Sequence, residues 1–183
     1  DHPGPETWTF KFGLVMTGII DILLAWRMWE ILRSKNDQTH WAVNASLISG
    51  IATGIGGIGV ALFRWTEHME EHLLFAIIVF IGGSAWAIFI HLAGKMLNLD
   101  ERGARIRRIA IPATIISLIL MTTLFRMAML EHQEIEAGLN LDMARTTMLY
   151  SALFEWFVFA GFMASMYSFR WDITPLQPSM PEP

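Results

Sequence analysis

WAVNASLISGIATGIGGIGVALF, residues 41–63, runs for 23 residues without one formally charged side chain. A second apolar run, LLFAIIVFIGGSAWAIFIHLAGKML at 73–97, stays uncharged until Lys95. At about 1.5 Å per residue, either run crosses the ~30 Å hydrocarbon layer of a bilayer. The segment between them, RWTEHMEEH at 64–72, is polar. Together they read as a transmembrane hairpin with a charged cap. The first run is rich in glycine, and Gly50, Gly54 and Gly57 recur three and four apart. Small residues at that spacing let helices approach closely in lipid, where packing must replace the hydrophobic drive. These three glycines are therefore expected to make 41–63 a central packing helix.

Composition extends the membrane reading to the whole chain. Of 183 residues, 54% are hydrophobic and 16% charged, with a mean hydropathy of +0.43. Soluble domains carry about 25% charged residues. No cysteine is present, which excludes disulfides, thiolate metal sites and thiol catalysis. The net charge of −4 and the lack of a long basic run argue against nucleic acid as a partner. Membrane lipids, and other membrane subunits, are the partners this composition suits.

Working outward, further spans are expected at about 12–32, 109–130 and 146–169. The predicted fold is all-α: a polytopic membrane helix bundle of five transmembrane helices, with 1–172 as one domain and 173–183 as a proline-rich tail. Residues 1–9 read as extended, 33–40 and 98–108 as polar loops, and 131–145 as an acidic loop, either irregular or a short helix. Pro112 falls in the first turn of its span, where proline is tolerated. Nine basic residues (Arg27, Arg33, Lys35, Lys95, Arg102, Arg105, Arg107, Arg108, Arg170) gather on one side, against Lys11, Arg64, Arg126 and Arg145 on the other. The positive-inside rule then puts the C-terminus in the cytoplasm and the Asp1 end outside. The chain begins at Asp1 rather than Met, and an odd count of spans is expected to become even with a sixth helix before it.

Two carboxylates fall inside spans. Asp21 lies nine residues past the start of 12–32, and Glu155 nine past the start of 146–169, both about 13 Å deep. Ionisable groups at such depth are costly and usually face a bundle interior or a wet cavity. With Arg126 as a cation and His72 at the mouth, Asp21 and Glu155 could line a polar pocket for a lipid headgroup or a proton. A purely structural polar contact is the plainer reading of the same residues. His68, His72 and His132 are weak metal-ligand candidates, and a solvated acidic rim explains them as well; no metal is assigned. His91 and His40 differ in depth by roughly 9 Å, which suits no bis-histidine haem, and no cofactor is expected. Asn44-Ala45-Ser46 fits the glycosylation pattern but falls within a span. Trp8, Trp26, Trp29, Trp41, Trp65 and Trp171 stand near span ends, as an interfacial belt does. No nucleophile–base pair or phosphate loop specifies a reaction.

In this frame the residues resemble a six-span family: the DRAM autophagy modulators, the FGF-receptor-activating proteins and the Golgi factors for GPI-anchor lipid remodelling. Pro5-Glu6 precedes a helix. Asn44 opens the helix of Gly50, Gly54 and Gly57, and His72 precedes the next. Arg105 stands before the fourth span of this chain. Glu155-Trp156 opens the apolar part of the last span, and an aromatic-then-Asp pattern at Phe169 to Asp172 closes it. Arg64-Trp65-Thr66 replaces the family's short neutral link, and the family's first helix has no counterpart here. The resemblance implies a lipid-handling or trafficking-modulating role in endomembranes. A non-catalytic accessory subunit packed in a larger membrane complex is the competing class.

Overall fold

The computed structural model describes residues 5–34, 41–64, 67–136 and 141–173; the side chains of 5–7, 131–136, 141–145 and 172–173 are not described. It is all-α, with α1 Pro5–Ser34, α2 Trp41–Leu62, α3 Met69–Met96, α4 Glu101–Glu136 and α5 Leu141–Ile173. No strand occurs among the described residues. Each helix holds a segment long and apolar enough to cross a membrane: Trp8–Ser34, Trp41–Leu62, Met69–Met96, Glu101–Leu130 and Thr146–Trp171.

The helices outrun the expected spans, and the polar loops shrink accordingly. α1 begins at Pro5, so residues 5–9 are helical rather than extended. Proline suits the first helical position, where its missing N–H has no partner to lose. Residues 101–108 belong to α4, not to a loop. The reason is a stop and a start within a few residues. α3 ends in a left-handed Asn98 (φ 50°), with Leu99 N–H donating to the Gly94 carbonyl (2.9 Å) and Asn98 N–H to Lys95 (3.3 Å). That is a Schellman closure, with asparagine tolerated in the left-handed position. Asp100 then caps α4, its Oδ1 accepting the Arg102 N–H at 2.6 Å. Pro112 therefore lies inside α4 rather than in its first turn, where it offers no N–H to the carbonyl four residues back. Residues 131–136 continue α4 and 141–145 begin α5, so of the two alternatives for 131–145 the helical one holds at both ends, as extensions of the spans rather than as a separate short helix.

The chain forms two compact units, Asp1–Ala104 with Phe169–Pro183, and Arg105–Ser168. In the first, α2 packs antiparallel against both α1 and α3. A Cβ placed on Gly18 would meet the Gly54 carbonyl at 2.5 Å, and one on Gly54 would meet the Gly18 carbonyl. Gly50 faces Ala25 of α1 and Trp86 of α3. On the α3 side, Gly56 meets Val79, Gly59 meets Phe75, and Gly82 returns the contact against Thr53. α2 is the middle helix of this unit because its surface is nearly side-chain-free on two faces. The hairpin corner is fixed by Phe63, whose ring stacks on Phe75 at 5.3 Å.

In the second unit, α4 and α5 run antiparallel through a seam of small residues. Arg107 Nη1 donates to Ser168 Oγ (2.8 Å), Gly161 meets Thr114, and Ser151 Oγ donates to the Met121 carbonyl (3.1 Å). From Arg107 on, the buried positions of α4 among the described residues are Arg107, Ala110, Thr114, Ser117, Met121 and Ala128. Their steps of three, four and seven are the heptad spacing of left-handed helix pairs.

Candidate functional site

Asp21 sits 13 residues from either end of its span, Trp8–Ser34, about 20 Å by helix rise. Gly18, Ala25, Met28 and Leu32 are buried. They stand three before and four, seven and eleven after Asp21, so the carboxylate shares their face. It is itself half-buried. Among the described residues it has no hydrogen-bond or ion-pair partner. A carboxylate held at that depth is among the costliest groups a membrane helix can carry.

Glu155 lies nine residues into Thr146–Trp171 and is half-buried, while Arg126 is exposed on α4, four residues before the end of its span. The pairs Thr114–Gly161 and Met121–Ser151 set the register. It places Glu155 level with Ser117 to Leu120, about 11 Å along α4 from Arg126. The two are not brought to one level. The equal nine-residue depths expected for the carboxylates become 13 and nine, because α1 starts earlier than its apolar run.

His72 is committed locally: its Nδ1 lies 2.8 Å from the Phe63 carbonyl, which can only accept, so Nδ1 is the donor. His68 sits before the first turn of α3, with its ring edge-on to Phe63 at 5.8 Å. The side chain of His132, and all of His40, lie outside the described residues. Among the described residues no three His, Cys, Asp or Glu side chains gather as a metal set. Asp21 and His72 belong to the first unit, Arg126 and Glu155 to the second.

Several residues escaped the sequence reading. Gly18 is the α1 half of the α1–α2 crossing, and a single glycine in an apolar run gives little signal. Gly57, by contrast, has only the Gly18 Cα near its open side, at 3.8 Å. Arg107 was expected in a basic loop; it is 1% exposed, on the buried face of α4. The available signal was the heptad spacing from Arg107 through Ala110 and Thr114. Asn44 is a positioning residue as well as the opening of α2, since its Oδ1 accepts the Trp29 Nε1–H at 3.0 Å.

The chain matches the family model of the Frag1/DRAM/Sfk1/Cwh43P N-terminal domain across residues 3–176. No curated protein and no solved structure matches it.

Proposed function

This multi-pass membrane protein belongs to the Frag1/DRAM/Sfk1/Cwh43P family, and we propose that it handles membrane lipids, drawing a polar headgroup out of its layer and into the span to meet Asp21. The half-buried carboxylate with no partner among the described residues carries the reading. An acceptor left unmatched in hydrocarbon costs several kcal/mol. A headgroup donor, an ethanolamine ammonium or a hydroxyl, would offset that cost. The protein then acts by binding and presenting a lipid rather than by covalent chemistry, in an endomembrane, with the basic side of its loops in the cytoplasm.

A second reading, an accessory subunit, draws on α1. Only 11% of its most apolar window is buried, and Phe12, Ile20, Leu23 and Trp26 are exposed on it. Partner helices would cover this surface as lipid tails do.

Asp21→Leu tests the first reading. The variant, extracted in mild detergent, should keep the helical content and elution volume of the parent yet lose the lipids with N–H or O–H headgroups that the parent retains. Unchanged lipid content in a folded Asp21→Leu protein would refute it.

A further inference from the structure

The C-terminal turns of α1 carry a cluster that the Asp21 reading does not use. Arg27, Trp29, Glu30, Ile31, Arg33 and Ser34, all on the last turns of α1, border an open surface hollow. These residues close the span Trp8–Ser34, so the hollow opens at the headgroup layer. The geometry points to a binding site there for the phosphodiester of a glycerophospholipid, anchored by Arg33 on a platform of Trp29.

The platform is built. Trp29 is pinned to α2 by its bond to Asn44 (3.0 Å). Trp26 packs beside it with ring centroids 5.5 Å apart, and its Nε1 donates to Glu30 Oε1 at 3.1 Å. The Arg33 guanidinium lies over the Trp29 ring, 4.8 Å from its centroid. Stacking uses the face of a guanidinium and leaves its N–H edge free to take two phosphate oxygens at once. Among the described residues the Arg33 side chain makes no hydrogen bond or ion pair. Arg27 is already engaged, donating to Glu30 Oε2 at 2.9 Å.

Charge decides what the hollow accepts. Among the described residues, two arginines less one glutamate leave +1. The carbonyl end of α1 subtracts about half a charge. The remainder is positive and favours an anion, while the indole faces suit the glycerol and upper acyl region. At that layer the abundant anion is the lipid phosphodiester itself. Phosphate chemistry is shared with the free ion, and the apolar half of the platform selects the lipid.

The test is native mass spectrometry of the full chain released from micelles. The added probes are dioleoylphosphatidylcholine, dioleoylglycerol (the same tails without phosphate) or inorganic phosphate. The parent should retain one phosphatidylcholine and neither of the others. Arg33→Gln should lower that retention about tenfold, the loss of one charge-assisted bond pair. Arg33→Lys should fall between, keeping charge without the fork. Phosphatidylcholine has no N–H or O–H for Asp21, so Asp21→Leu should leave its retention at the parent level. The two sites therefore fail separately. Parent-level retention in Arg33→Gln, equal retention of dioleoylglycerol, or Arg33-dependent binding of inorganic phosphate alone would overturn the assignment.

Discussion

Arg107 shows what a single residue decides. A guanidinium at 1% exposure has given up its water, and the bond to Ser168 Oγ at 2.8 Å is part of what replaces it. Ser168 passes the interaction on, donating to the Ser165 carbonyl at 2.6 Å. Removing the hydroxyl should cost about 1 kcal/mol, whereas Arg107→Ala also removes packing and should cost about 3 kcal/mol. Denaturant titration in micelles separates the two, and removal of the Ser168 hydroxyl at no cost would show that Arg107 is held by something other than this bond. Charge counting along the sequence put Arg107 beside Arg105 and Arg108 as a loop cation. The three differ only in helical phase, and phase has no meaning until the start of the helix is known. Asp100 supplies that start. Asp21 was legible for the opposite reason: a lone acid in a long apolar run stands out without any geometry.

For the helices, existence was easy to read and ends were not. Hydropathy stops where apolar residues stop, but backbone hydrogen bonding continues into polar turns once a cap is present. α1 and α4 therefore run well past their apolar cores. The small-residue face of 41–63 was visible in sequence. Its partners Gly18, Phe75 and Val79 were not, because they are set by a register that no local pattern states. Gly54→Leu should unfold or misassemble the first unit, since its Cβ would enter the Gly18 carbonyl and the Ile22 side chain. Ile48→Leu and Ile55→Leu, at exposed positions of the same helix, should stay within about 0.5 kcal/mol. Ile58 is no fair control, since its Cγ1 already lies 2.8 Å from where a Gly18 Cβ would stand. Thermal unfolding followed by circular dichroism gives the comparison. Equal tolerance at Gly54, Ile48 and Ile55 would mean that α2 faces lipid all round.

At the scale of the molecule, family and span number were legible from composition and from scattered motifs. Which side faces the cytoplasm rests on the count of basic residues. Glu70 and Arg102 are both exposed, at opposite ends of the α3 span and its capped turn. In sealed membranes, cysteine at Arg102 should react with an impermeant maleimide only from the cytoplasmic side and cysteine at Glu70 only from the other. The reverse pattern would invert the topology. The claim that matters most is that this chain holds lipid rather than serving as a subunit of something larger. Mass spectrometry of the protein extracted from its own membrane in mild detergent addresses it directly. The account predicts a defined lipid retained at fixed stoichiometry, with no polypeptide in constant ratio to the chain; a stoichiometric protein partner with no enriched lipid would contradict it.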